Sequence, residues 1–167
     1  MRKQTRRIQV NPKEDVMKTL FTASQFTATK WDSAEDKAKF ANHFIHFLKS
    51  GFKRELFTLE FYRRLSMTFG HIAHYDINGF YETFFADPSD WKIFIDVTLQ
   101  HPCYGDPAFT YSDVERAIQA YLQNHAEFMA LILTQSNSYE KNKDITQAKA
   151  LLAKHGIAFD FEVKGGT

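Results

Sequence analysis

The chain has 167 residues, which is the size of one domain, and a compact chain of this length buries about 70% of its unfolded surface. Its hydrophobic content of 44% and charged content of 25% exclude a collagen-like chain and a globally disordered one. With 21 basic against 20 acidic residues and a single cysteine, neither a polyanion-binding composition nor a disulfide framework is present.

Helix signals follow one another along the chain. Ser33 and Thr58 have the residue type of a helix N-cap, and Ser112 with Glu115 three residues later has the pattern of a capping box. Gly51 is placed to end the helix that Ser33 begins. The predicted helices cover approximately residues 12–23, 33–50, 58–74, 80–85, 91–99, 112–134 and 145–155.

Turn residues predict the connections between these helices. Residues 22–29 are rich in Thr and Ser, Asn78-Gly79 is a break signal, and residues 101–107 contain two prolines and a glycine. Residues 157–163 alternate with period two and indicate a strand, and residues 8–10 are its only obvious partner.

These elements predict an all-α fold, a single compact and irregular bundle of six to seven amphipathic helices, with that two-stranded pairing as a minor addition. The 17 phenylalanines favour crossed packing, because bulky rings widen helix contacts. His125 lies within the apolar face of the predicted helix 112–134, which is typical of a buried core histidine. We expect a basic N-terminal arm over residues 1–10, a helical domain over 11–163 and a loose tail over 164–167.

Charge is distributed unevenly along the chain. Residues 1–75 carry 14 basic and 7 acidic side chains, a net charge of +7, whereas residues 76–115 carry one basic and eight acidic side chains, a net charge of −7. Two interpretations stay open: the segments face each other and neutralise locally, or the basic segment forms a surface for an anionic partner.

Two His-x-x-His pairs suggest a metal site. His43 with His46, and His71 with His74, each place two imidazoles on neighbouring turns of a helix, and Asp76 would add an oxygen ligand. Helical-wheel positions put all four histidines outside the apolar arcs, whereas metal sites in bundles are built from inward-facing side chains. We therefore favour a solvated or ligand-contacting surface, and a metal-dependent enzyme is the alternative.

A basic stretch precedes and follows Thr58. Lys53 and Arg54 lie before it, and Arg63 and Arg64 lie on the polar face of the predicted helix, where arginine forks suit carboxylate or phosphate. The competing interpretation is a solvated helix face in which Glu60 and Arg64 form an i,i+4 ion pair.

An aromatic segment follows at residues 75–85. Tyr75, Phe80 and Tyr81 are predicted either to anchor a partner or to pack as an elbow between two helices.

The sequence contains none of the short motifs typical of nucleotide, zinc-protease or calcium sites, so no catalytic residue and no cofactor is predicted. The longest apolar run has six residues and no apolar segment follows the basic N-terminus, so a cytoplasmic protein without a membrane span is expected.

We predict a non-enzymatic helical binding protein, an accessory or regulatory factor or inhibitor of a larger protein or protein–nucleic-acid complex. Direct nucleic-acid binding and self-association are the further alternatives. The predicted binding residues are Lys53, Arg54, Arg63, Arg64, His71, His74, Tyr75, Phe80 and Tyr81.

Overall fold

Six α-helices account for most of the residues described in the computed structural model, which are 19–68, 76–100 and 105–158. The helices are α1 (Ala34–Lys49), α2 (Leu59–Thr68), α3 (Ile77–Phe84), α4 (Trp91–Gln100), α5 (Ser112–Asn124) and α6 (Ala126–Lys154). Short 3-10 helices span Ala23–Gln25, Arg54–Leu56 and Pro88–Asp90. These residues contain no strand, so the all-helical class is confirmed for the part of the chain that is described.

Helix α1 begins and ends where its local signals predict. The Ser33 side chain accepts a hydrogen bond from the Asp36 backbone N–H, and the Asp36 carboxylate accepts one from the Ser33 N–H, which completes a capping box. At the other end Gly51 adopts φ 75°, and the N–H of Phe52 reaches back to the Phe47 carbonyl at 3.1 Å. This is the left-handed helix ending that glycine favours.

At Phe52, burial of the side chain in the aromatic core is accompanied by an unfavourable backbone conformation. It also has a left-handed conformation, φ 58°, which is unfavourable for a residue with a side chain. Its ring is 0% exposed and lies 5.2 Å from the Phe85 ring and 4.6 Å from Trp91, measured between centroids. Burying a phenylalanine contributes roughly 2–3 kcal/mol, enough to offset the strained conformation. The remaining core is shared mainly by α1, α2, α4 and α5.

Three local predictions were wrong. Asn78 and Gly79 lie inside the first turn of α3, because the Asp76 carboxylate accepts the Gly79 N–H at 2.7 Å and stabilises the helix start. The predicted helix 12–23 does not reach its expected end, since residues 19–22 are non-helical. Ser112 is the first residue of α5 and its hydroxyl donates to the Gly105 carbonyl, so no capping box forms with Glu115.

The predicted helix 112–134 is two helices that meet at His125. This residue has φ −120° and ψ 55°, outside the helical region, and its side chain is exposed rather than buried. Its Nδ1 lies 2.7 Å from the Tyr121 carbonyl and its ring stacks on the Tyr121 ring at 3.9 Å. Helix α6 then continues for 29 residues, through the predicted gap between residues 134 and 145, until Gly156 ends it at φ 68°.

The predicted two-stranded pairing has no support. Residues 157–158 are described and are not in a strand, and the other residues of the pairing, 8–10 and 159–163, lie outside the described part of the chain. The basic arm 1–10 and the tail 164–167 also lie outside it.

Candidate functional site

Two of the predicted basic residues are used by the fold itself, and the first is Arg54. Its guanidinium donates to the Phe57 carbonyl and to the Asn78 side chain, both at 2.8 Å, and it lies over the Tyr81 ring at 5.0 Å. Arg54 thereby ties the segment before α2 to the start of α3. Lys53, next to it, is exposed.

Arg64 is the second. Its guanidinium lies between three carboxylates, at 3.5 Å from Asp32, 3.7 Å from Asp36 and 3.4 Å from Glu60, and the side chain is 19% exposed. The expected Glu60–Arg64 pair is therefore present as one part of a larger cluster. Arg64 also lies 3.4 Å from the Tyr111 hydroxyl, whose pKa is raised by burial and further by its hydrogen bond to Asp32. Arg63 is exposed.

The aromatic segment packs into the core as an elbow. Phe80 is 1% exposed and lies between the Phe57 and Phe84 rings, so it has almost no area to offer a partner. Tyr81 is half-buried and its hydroxyl donates to the Phe52 carbonyl at 2.7 Å, and burial raises the pKa of this phenol. Tyr75 lies outside the described residues.

The histidine pairs are only half described, since His71 and His74 lie outside the described residues. His43 stacks on Phe61 with ring centroids 4.5 Å apart, and its Nε2 lies 2.7 Å from the Leu56 carbonyl. A carbonyl only accepts, so this nitrogen carries the proton. His46 is exposed. Within residues 19–68, 76–100 and 105–158, no three His, Cys, Asp or Glu side chains group as metal ligands would.

Sequence reasoning missed Lys37, the most completely buried cation of the described chain. Its side chain is 0% exposed and its ammonium donates to the Asp113 carboxylate at 2.9 Å and to the carbonyls of Pro107 and Thr110. Asp113 also accepts the Thr27 N–H. A signal existed, because Lys37 lies three residues before Phe40 and therefore on the apolar face of α1. The pair joins α1 to the first turn of α5, and the two carbonyl contacts join it to the loop before α5.

Only one ion pair links the basic and acidic segments among the described residues, and it is Lys37 with Asp113. The other pairs are those of Arg64, within the basic segment, and Lys143 with Asp87. In the same part of the chain no carboxylate lies within ion-pair distance of six exposed lysines and arginines of the basic segment: Lys30, Lys39, Lys49, Lys53, Arg54 and Arg63. Local neutralisation therefore leaves a basic surface.

Two of those cations, Lys39 and Lys49, lie on one face of α1, with the imidazole of His46 between them. Lys39, His46 and Lys49 are spaced by seven and three residues, which places them in a single stripe along the helix. A groove of about 840 Å³ runs beside this stripe, between α1 and residues 19–23. A smaller cavity of about 130 Å³ lies towards α2 and is lined by Arg64, His43 and Lys39 among others. This stripe and groove, which we call the α1 face, form the candidate site.

Asn42 builds the wall of the groove. Its side-chain oxygen accepts the backbone N–H groups of Leu20 and Phe21 at 2.8 and 3.1 Å, and its amide nitrogen donates to the carbonyls of Phe21 and Ala38, both at 2.9 Å. Three of these four hydrogen bonds hold residues 20–21 against α1, and the bond to Ala38 anchors the amide to its own helix. A polar residue outside the apolar arc gives no sequence signal for this role.

Comparison with protein-family models, with curated proteins and with solved structures gives no match for this chain. The fold and the α1 face therefore carry the functional argument alone. No helix in the described ranges combines the length and apolar character needed to cross a bilayer.

Proposed function

We propose that this chain is a non-enzymatic binding protein that attaches to an anionic surface of a larger protein or protein–nucleic-acid complex and acts on it as an accessory or inhibitory factor. The observation that carries this proposal is the set of lysine and arginine side chains that have no ion pair among the described residues. Lys39 and Lys49 lie together on α1 beside a groove, with His46 between them, and Lys53 follows the same helix. A cluster of unpaired cations raises the local concentration of an anionic partner and speeds its association.

The binding surface proposed here differs from the one that the sequence favoured. The guanidinium groups of Arg54 and Arg64 are held by hydrogen bonds and ion pairs within the fold, and the Phe80 ring is buried. Lys53 and Arg63 are the two predicted residues that are described and exposed and whose side chains have neither an ion pair nor a hydrogen bond among the described residues. The proposed site is therefore centred on α1, and Lys53 contributes at its C-terminal end.

A protein partner fits the α1 face better than a bare nucleic acid does. Single-stranded nucleic acids are held largely by bases that stack on exposed aromatic side chains. Apart from the imidazoles of His43 and His46, the aromatic side chain that lines the groove is Phe21, which is 5% exposed. The groove thus offers cations but little stacking surface, which favours carboxylates on a folded partner.

Affinity purification from the native host with charge-reversal variants tests this proposal. Wild type and a matched control, Lys141→Glu/Lys154→Glu on α6, should retain the same partner, and Lys39→Glu/Lys49→Glu should lose it. Both double variants change the net charge equally, so a general charge effect would affect them alike. A partner that is retained by all three proteins would contradict the proposal. A partner lost from every sample after nuclease treatment would instead identify nucleic acid as the ligand.

A further inference from the structure

The dimensions of the groove fit an element of secondary structure. The α1 side of the groove, from Glu35 to Lys49, spans about 21 Å, because a helix rises about 1.5 Å per residue. A second helix of about 14 residues, or four turns, has the same length. The volume of about 840 Å³ is too large for one side chain and falls within the range of pockets that bury a whole ligand.

The groove has a firm wall and a mainly apolar interior. Asn42 fixes residues 20–21 through three hydrogen bonds, so the wall opposite α1 is held in place by the fold. Leu20, Ala23 and Ala38 line the interior, together with the aliphatic stems of the rim lysines. The rim on the α1 side carries Lys39 and Lys49, and one carboxylate, that of Glu35, lies at its N-terminal end.

From this arrangement we infer that the groove binds an amphipathic helix of the partner protein, with apolar side chains facing the interior and carboxylates facing the rim cations. The inference rests on the proposed function and specifies its partner. Helices commonly bind in this way, with an apolar face in a groove and charges setting orientation. A short apolar interior alone gives little selectivity, so the carboxylates select the partner.

Charge complementarity argues against the chain's own N-terminal segment as the occupant. Residues 1–18 contain six basic and two acidic residues, a net charge of +4, and would meet a rim of the same sign. The acidic segment 76–115 of a second copy has the opposite sign, but apolar side chains of its helices, such as Phe80 and Phe94, are buried in that copy's own core and cannot enter a groove. A separate acidic partner is therefore the best match.

Synthetic peptides test the inference directly. Three fluorescent peptides of about 18 residues, somewhat longer than the groove, share one length. The first is an amphipathic helix with Leu on one face and Glu on the other, the second is its scrambled form, and the third has Lys in place of Glu. Fluorescence anisotropy should show that wild type binds the first peptide at least about tenfold more tightly than the other two. Thr19→Trp, which narrows the groove from an exposed position, should remove the preference over the scrambled peptide.

The outcomes separate this inference from the proposed function. Suppose that wild type binds the amphipathic and scrambled peptides equally and that Lys39→Glu/Lys49→Glu still loses the partner. The inference that the groove binds a helix would then be wrong, and the proposed function would stand. If Lys39→Glu/Lys49→Glu retained the partner and wild type bound the Glu and Lys peptides equally, both the inference and the proposed function would be overturned. Preferential binding that arises only after residues 1–18 are removed would identify that segment as the occupant. Dimerisation that the charge reversal abolishes, measured by light scattering, would identify a second copy. Either of the last two results would overturn the inference.

Discussion

Lys37 and Lys39 lie two residues apart on α1, and the fold treats them in opposite ways. Lys37 is completely buried and donates three hydrogen bonds, one to a carboxylate and two to carbonyls. Lys39 is exposed and has no ion pair with any described carboxylate. The comparison shows that a count of charges says little about function. A cation is available to a partner only if the helix face it occupies points away from the core.

Removing each lysine in turn should give the largest contrast. Lys37→Met leaves the Asp113 carboxylate without its cation, and breaking a buried pair in this way costs about 3 kcal/mol of unfolding free energy. Lys39→Met should change that free energy by less than about 0.5 kcal/mol. Chemical denaturation of the two variants measures both values.

A double variant identifies the cause of the Lys37 effect. Lys37→Met/Asp113→Asn removes both charges, so it should recover part of the lost stability. Equal unfolding midpoints for Lys37→Met and Lys39→Met would show that the buried lysine stabilises the fold no more than the exposed one does.

Asn42 should have the next largest effect, although it lies on the exposed side of α1 with Lys39. Asn42→Ala removes four hydrogen bonds at distances of 2.8–3.1 Å, and we expect a loss of about 2 kcal/mol. Hydrogen exchange should quicken at the amides of Leu20 and Phe21, which lose their acceptor. His46→Ala, one turn further along, is the matched control and should leave those amides protected. Unchanged exchange in Asn42→Ala would show that the wall is held by other contacts.

The start of α1 shows what local sequence can predict. Ser33, Asp36 and Gly51 act through neighbours within five residues, so their roles could be inferred from short patterns. The fates of Lys37 and Arg64 depend on Asp113 and Asp32, which lie far away in the chain, and no local pattern carries that information. The turn at His125 was missed because the apolar periodicity of residues 112–134 continues across it. The α1 face was missed because it depends on residues 19–23, which the sequence described only as a loop.

The capping box at Ser33 links this local signal to pH. The pKa of Asp36 lies below its ordinary value of 3.8, mainly because its carboxylate accepts hydrogen bonds from the Ser33 side chain and backbone. Ser33→Ala removes the N-cap and should cost about 1 kcal/mol near neutral pH. A lowered pKa stabilises the fold above pH 3.8, and this contribution is lost as the pH falls through the lowered value. The difference in unfolding free energy between wild type and Ser33→Ala should therefore shrink in acid. Chemical denaturation near neutral pH and below the lowered pKa of Asp36 measures it. A difference that is independent of pH would assign the whole effect to the serine hydroxyl.

Reversing the rim charges should have the smallest effect on stability, and this is what makes them useful for function. Lys39 has no ion pair among the described residues, and the Lys49 ammonium lies 5.5 Å from the Tyr121 ring centroid. An exposed cation–π contact contributes about 0.5–1 kcal/mol, so Lys49→Glu should cost about that amount and Lys39→Glu less. Thermal unfolding of each single variant measures this ordering. If Lys39→Glu destabilised the protein as much as Lys37→Met does, Lys39 would be part of the fold. The α1 face would then lose a cation that the proposed function requires.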